Sequence, residues 1–517
     1  MSDRKRILMV AAENDSLPGV KVGGVADVIR DLPPALVALD LTVDVVVPSY
    51  GFLARLPEQD NIAEIEVAFS GSIHRVNLFR QQRTNGGAVN YILHHPAFAP
   101  QGEAVYCNDA EHPFATDATK FSFFCASVAR ALIEGHLPWP NILHCHDWHT
   151  AFLLILIRFS PAFSRLQSIN TVYTIHNLAM QGVRPFKGDD SAFENWYPDM
   201  HYDGQAICDL ANPHCVNPMR AAINLADKVH TVSPAYAEEI LQPSNTLNGI
   251  YGGEGLENDL YRRYLQGSLI GIINGCEYPK NARYASPAKK KVIATAQEDL
   301  IAWASHKAEL GGAHFVADKR LHHWSQKKSR GFVVTSVGRI TEQKAKLLST
   351  FVSNGKTALE TMLDKLDDKD QFILLGSGDK NYEDFLLRVS GKYTNFVFLN
   401  GYSHELSLNL YRYGDLFLMP SSFEPCGISQ MLAMRAGQPC LVNMVGGLKD
   451  TVTHNQTGFC FSGDSAGQQA QAMVEEFVRL RNLFEQEPDQ WKKISQAASE
   501  VRFTWQKSAE TYISALY

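Results

Sequence analysis

What this chain lacks narrows the choices before any motif is read. No apolar run is long enough to cross a bilayer, and the opening MSDRKRILMV carries neither a signal core nor a cleavage site. No Arg/Ser-rich leader precedes the first strand, so the expected location is the cytoplasm. There is no basic surplus. The formal charge is -7, which argues against nucleic acid or an anionic membrane as a general partner. The 9 cysteines, scattered from Cys107 to Cys460, are odd in number and show no framework spacing. Reduced thiols in a reducing compartment are expected. Cys208 and Cys215, with His201 and His214 nearby, fit no standard zinc spacing. No strict internal repeat is present.

What is there is an ordinary globular composition, 45% hydrophobic and 20% charged over 517 residues, enough for two or more cores. The chain repeats one plan: a short apolar strand, a polar turn, then a helix. ILMVAAEN leads into SLPGVKVGGVADVIRDL, where Lys21 precedes Gly23 and Gly24 at a helix start. Glycines admit a phosphate to the backbone, and a helix N-terminus favours an anion. VDVVVPSY is a second strand, and Asn85-Gly86-Gly87 reads as a hairpin turn. TKFSFFCASVARALIEG reads as an amphipathic helix. NILHCHDWHTAFLLILI places His144, His146, Asp147 and His149 around a strand end. Strand side chains alternate faces, so a shared metal is the weaker reading of that cluster. TVYTIHNLAMQG puts His176 and Asn177 just after another strand. A lone histidine there is usually structural.

The second half repeats the plan. GFVVTSVGRITEQKAKLL gives a strand, then Arg339, then Lys344 at a helix start. FILLGSGD and TNFVFLNGY add strands. The stretch from Asp415 to Thr451 reads as strand, acidic turn, helix, strand, glycine turn, helix. It carries Glu424, Cys426 and Gly427 in one turn and Gly446-Gly447 in the next. Open α/β sheets bind their ligands at that edge. Residues 280–291 read as a linker with a basic run, and TWQKSAETYISALY as a terminal helix.

The wording FEPCGxxQ, AMRxG and GGLxDTV resembles the signature of the bacterial glycogen synthases and plant starch synthases. Lys21-Val-Gly-Gly is similar to that family's KTGGL loop, HCHDWH to HxHDWH, TIHNLAMQG to TIHNLxxQG, and RITEQKA to RLTxQKG. Asn274-Gly275 resembles the LNGxD end. The resemblance covers most of the chain. It implies a GT-B fold, α/β, with two Rossmann-like domains facing a deep inter-domain cleft. Residues 1–268 with a returning helix 493–517 would form the acceptor side, and 269–492 the nucleotide-sugar donor side. It further implies transfer of glucose from ADP-glucose to the non-reducing end of an α-1,4-glucan, with retention and with no cofactor or metal.

By the same resemblance Arg339 and Lys344 clamp the leaving diphosphate, Glu424 and His176 contact the sugar, and Asp147 contacts substrate. Lys21, Gly23, Gly24, Asn177, Asn274, Cys426, Gly427, Gly446 and Gly447 line the binding surface. The expected partners are ADP-glucose and an α-glucan, with no nucleic acid and no membrane. The chain departs from the family pattern at Val22, Cys276, Ala345 and Leu432. Those departures motivate the alternatives: a catalytically weak glucan-binding or regulatory relative, or a GT-B transferase with another donor or acceptor.

Overall fold

The computed structural model describes residues 4–107, 112, 114–279, 285–307, 311–327 and 330–517. Residues 280–284 of the expected linker lie outside the described residues. By contacts the chain divides into two compact units. The first contains residues 1–244, 252–275 and 504–517; the second contains 245–251 and 276–503. The sequence reading set these boundaries at 268 and 493. The helix Pro488–Glu500 stays with the second unit because Trp491 packs on Phe332, Phe459 and Phe484.

Near-continuous apolar strands need cover on both faces, and parallel sheets supply it. The first unit is built on a nine-stranded sheet. Its order is Leu269–Gly271, Lys228–Thr231, Asn170–Ile175, Ile142–His146, Arg6–Val10, Thr42–Pro48, Val89–His94, Ser72–Gln81, Gln59–Phe69. The pairs as far as Val89–His94 are parallel. The last two strands form an antiparallel hairpin on that edge. Asn85 and Ala88 exchange both backbone bonds at 2.9 Å around Gly86 and Gly87. Gly86 sits at φ 56°, and a Cβ there would come within 2.7 Å of Pro34, so the turn requires glycine. The helix Ala115–Ile133 departs from the amphipathic expectation. It packs on both the hairpin and the helix Trp148–Phe159, and 14 of its 19 residues are buried, Lys120 among them.

The second unit holds a six-stranded, fully parallel sheet. Its order is Phe396–Asn400, Gln371–Gly376, Val333–Val337, Leu416–Met419, Cys440–Asn443, Phe459–Phe461. In both sheets the strand order reverses beside the unit's first strand. The reversal falls between Arg6–Val10 and Ile142–His146 in one, and between Val333–Val337 and Leu416–Met419 in the other. Loops leaving the two strands of such a pair diverge and open a crevice at the carboxyl edge. All nine cysteines are free thiols. Among the described residues no helix is long and apolar enough to cross a membrane.

Candidate active site

In the second unit the sequence-predicted residues gather at the strand-order reversal. Arg339 follows the strand Val333–Val337, and Lys344 sits in the first turn of the helix Glu342–Ser349. Glu424 follows the neighbouring strand Leu416–Met419. Backbone and amide bonds lace the two loops together. Ser422 N donates to Gln343 O at 2.8 Å, and Gln343 Nε2 donates to Phe423 O at 2.8 Å. Lys344 Nζ is thereby held 3.0 Å from Glu424 Oε2, the same oxygen that accepts Ser421 Oγ at 3.0 Å. Asn443 Nδ2 fixes the turn from beneath through Ser421 O, at 3.0 Å. Glu424 is 7% exposed, so its charge is held by these partners rather than by bulk water. Arg339 is exposed, and among the described residues no carboxylate pairs with it.

The glycine turn packs against this acidic turn. Gly447 N donates to Glu424 O at 3.0 Å. A Cβ on Gly447 would lie 2.4 Å from Cys426 O, a backbone contact that cannot give way. Gln430 Nε2 ties the turn through Cys426 O, Gly427 O and Thr451 Oγ1. The helix Gly446–Thr451 has only six residues, and its Gly447 amide is already spent on the chain. Two departures from the family wording find physical places. Ala345 is 1% exposed and its methyl joins the core with Ile340 and Leu348. Leu432 packs against a second apolar cluster.

In the first unit Lys21 lies in the glycine loop, but acids surround it. Its Nζ meets Asp27 Oδ1 at 2.6 Å and Asp15 Oδ2 at 3.1 Å. Burial works against its charge, yet the two aspartates outweigh that and raise its pKa. The loop amides are occupied as well. Val22 N and Gly23 N donate to Glu13 Oε2 at 2.8 and 2.6 Å, and Tyr106 OH donates to Glu13 Oε1 at 2.7 Å. Around Gly24 a Cβ would meet nothing within 4 Å.

Across the strand reversal stand Asp147 and His176. Asp147 holds φ 57°, a strained value for a residue with a side chain. It is the N-cap of the helix Trp148–Phe159, yet its carboxylate caps nothing there. Instead Oδ1 accepts His176 N at 2.7 Å, which pins the two strand ends together. Burial raises this carboxyl to about 7, against the pull of the His176 and Asn177 amides. His176 Nε2 lies 3.0 Å from His146 Nδ1, and burial holds the His176 imidazole down at about 3. His144 stacks on His146 at 4.1 Å and bonds Thr174 and Tyr517. Both His144 ring nitrogens and the His146 Nδ1 thus serve hydrogen bonds within the core, while among the described residues His146 Nε2 has no partner. Among the described residues no group of three or more His, Cys, Asp or Glu is placed to hold a metal. Asn177 Oδ1 accepts Ala179 N at 3.0 Å. Asn274 is buried and its Oδ1 has no partner among the described residues, and the Cys276 amide bonds Phe503 O.

Sequence reading missed Glu13, Tyr106, Gln343, Ser421, Gln430 and Asn443. Glu13 carried a signal, since it follows the first strand as Asp147 follows Ile142–His146. Gln343 and Ser422 are 79 positions apart, and their bond leaves no local trace.

Known proteins share this layout. Residues 6–262 match the starch synthase catalytic domain family, and residues 318–497 match the glycosyl transferases group 1 family. The glycogen synthase of Trichodesmium erythraeum is 32% identical, over 98% of this chain and 97% of that one. The glycogen synthase of Gloeobacter violaceus is also 32% identical, with the same coverage. Among solved structures, the catalytic domain of starch synthase IV from Arabidopsis thaliana, bound to ADP and acarbose, superposes with a TM-score of 0.76. It is 25% identical and covered over 99% of both chains. With two Rossmann-like units of the GT-B type and this near-full-length identity, the chain belongs to the glycogen synthase and starch synthase family of glycosyltransferases.

Proposed function

We propose that this chain transfers glucose from ADP-glucose to the non-reducing end of an α-1,4-glucan in the cytoplasm, with retention at the anomeric carbon. The observation that carries the reading is the Lys344–Glu424 pair with Arg339 beside it, at the reversal of a parallel sheet. As the glycosidic bond breaks, charge builds on the departing diphosphate. Cations fixed in advance stabilise that charge more than they stabilise the bound donor. Arg339, with which no carboxylate pairs among the described residues, takes the diphosphate. Lys344, paired with Glu424, serves the same group. Glu424 uses Oε2 for Lys344 and Ser421, which leaves Oε1 for a sugar hydroxyl and for the developing positive charge on the glucose ring. Gly446, Gly447, Cys426 and Gly427 hold this turn in place.

The first unit supplies the acceptor side. From that unit His176 bonds hydroxyls of the donor glucose, with Asn177 next to it in sequence, and Asp147 sets His176 through its backbone amide. Asn274 offers its Oδ1, which has no partner among the described residues, to the same purpose. Gly24 meets the diphosphate through its open side, and Lys21 and Gly23 reach it only by exchanging Asp15, Asp27 and Glu13 for the phosphates. The leaving phosphate takes the acceptor proton. The nucleotide is adenosine diphosphate by analogy with the ADP-bound starch synthase IV domain.

Incorporation of labelled glucose into glycogen tests the reading. ADP-glucose should label the polymer and UDP-glucose should label it far less. No incorporation from either donor sinks it.

A further inference from the structure

In the glycine loop of the first unit, two cations compete for one pair of carboxylate oxygens. Lys21 Nζ donates to Asp27 Oδ1 at 2.6 Å and to Asp15 Oδ2 at 3.1 Å. Arg30 reaches the same two atoms. Its Nη1 lies 3.1 Å from Asp27 Oδ1 and also pairs with Asp15 Oδ2. All four side chains are partly shielded from water.

Local structure accounts for the sharing. Asp27 and Arg30 are three positions apart in the helix Gly24–Ala38, so they lie on one face. Asp15 N donates to Ala26 O at 3.2 Å, which sets Asp15 against the first turn of that helix. Arg30 is braced from behind. Its Nε donates to Asp31 Oδ1 at 2.6 Å and its Nη2 to Asp31 Oδ2 at 2.8 Å, a fork-to-fork pair. Asp31 Oδ2 also accepts Trp505 Nε1 at 3.1 Å, and Trp505 is buried at the start of the helix Trp505–Ala515. Asn85 Nδ2 donates to the Arg30 carbonyl at 2.6 Å. With Nε and Nη2 turned to Asp31, Nη1 is the corner of the guanidinium that faces Asp15 and Asp27.

The two cations are therefore not equivalent. Lys21 is a mobile ammonium on a flexible stem, whereas Arg30 is a fixed planar fork. Burial raises the Asp27 carboxyl, against the pull of Lys21 and Arg30. A carboxylate so placed is costly to leave without a cation. With Lys21 as its only partner, Asp27 would hold the lysine back, and its neighbour Asp15 would add to the hold. Arg30 lowers that cost, because it already bonds both oxygens.

We infer that Arg30 is a positioning residue for the donor: it keeps Asp15 and Asp27 paired while Lys21 swings from them to the diphosphate. Arg30 does not touch the donor, and its whole effect on affinity passes through Lys21. This rests on the reading above that Lys21 meets the diphosphate.

Titration calorimetry of ADP into the full chain tests it, with Tm of each variant as the check on folding. Lys21→Met should weaken ADP binding. Arg30→Met should weaken it by about fivefold, the worth of one partly exposed ion pair, because Lys21 is then held by two carboxylates. KM for ADP-glucose should rise by the same factor. Arg30→Lys should restore part of the affinity, since it returns the charge without the fork. The decisive measurement is the double variant Lys21→Met/Arg30→Met, which should bind ADP as Lys21→Met does, because no lysine remains to be released. Arg30→Gln repeats the series if methionine lowers Tm. Undiminished ADP affinity in both Arg30 variants overturns the proposal. So does a further loss in the double variant, which would place Arg30 in contact with the ligand or in the fold alone. Undiminished affinity in Lys21→Met would refute the phosphate role of the loop itself, and the proposal with it. That failure is read from Lys21→Met alone and so is told apart from a failure at Arg30.

Discussion

At the scale of single residues, the site is a contest between charges. Lys344 is paired at rest with Glu424, whereas among the described residues no carboxylate pairs with Arg339. Lys344→Ala should therefore act in two ways. It removes a cation that matters most as the diphosphate departs, a loss on the order of 10²–10³ in kcat. It also leaves Glu424 nearly buried beside Ser421 alone, so the turn itself loosens. Steady-state kinetics should show kcat falling far more than KM rises. A kcat within a few-fold of the parent would mean the clamp is wrongly assigned. Lys344→Arg should rescue in part, because a planar fork replaces a point charge. Since both cations come from the chain, activity should persist in a chelator. Loss of activity restored by Mg²⁺ or Mn²⁺ would contradict that. These residue types were legible in the sequence because each stands alone just past an apolar strand. Their spacing to one another was not, since it depends on Gln343, Ser422 and Asn443, whose bonds cross between loops far apart in the chain.

At the scale of elements, the strand–turn–helix plan could be read because buried parallel strands announce themselves as apolar runs closed by Gly, Pro or Ser. The strands around Asp147, His176, Arg339 and Glu424 all came out where expected. The antiparallel edge Gln59–Phe69 with Ser72–Gln81 did not, because half of its residues face water and its pattern is weak. Burial around Ala115–Ile133 was missed for the opposite reason. Neighbours on several sides bury even its polar residues. Glycines in the two turns separate folding from binding. Gly447→Ala would press a Cβ on the Cys426 backbone and break the bond to Glu424 O. It should cost about 1–3 kcal/mol of stability and most of the activity, read as a fall in Tm beside the rate. Gly24→Ala has open space around the new methyl. It should leave Tm unchanged and raise KM for ADP-glucose, because a side chain then stands where the backbone meets the diphosphate. A Tm drop in Gly24→Ala with normal KM would assign that glycine to folding alone.

At the scale of the whole molecule, the last residues of the chain close the core of the first unit. Tyr517 OH meets His144 Nδ1 at 2.7 Å, His144 Nε2 meets Thr174 Oγ1 at 2.6 Å, and Thr174 Oγ1 meets His230 Nδ1 at 2.9 Å. Tyr512 OH reaches His230 as well, at 3.4 Å. No local pattern hints that a tyrosine 373 positions away partners a histidine of the HCHDWH stretch. The chain of hydroxyls and imidazoles works with neutral rings. Burial, with His176 adding to it, holds His144 down at about 3, and His146 and His230 also lie well below their ordinary value. Each imidazole is thus depressed in the folded state relative to about 6.5 unfolded. Between those values the unfolded chain binds the extra proton, so stability is full above about pH 6.5 and falls as pH drops toward 3. Asp147 acts in the opposite sense. Its carboxyl is raised to about 7, so the folded state gains on the unfolded as pH falls through 7. The histidines outnumber it, and acid should weaken this unit. His144→Asn isolates one member. At pH 7.5 the variant should be less stable than the parent, because Tyr517 and Thr174 lose a partner. Below pH 6.5 the gap should close by about 1.4 kcal/mol per pH unit, because only the parent has an imidazole to protonate on unfolding. Native-state hydrogen exchange of the strand Asn170–Ile175 in the full chain, at pH 7.5 and 5.5, reads that gap. A gap that stays constant between the two would mean His144 takes up its proton in the folded chain as readily as in water. The closed hydroxyl–imidazole chain ending at Tyr517 would then not be what keeps it neutral.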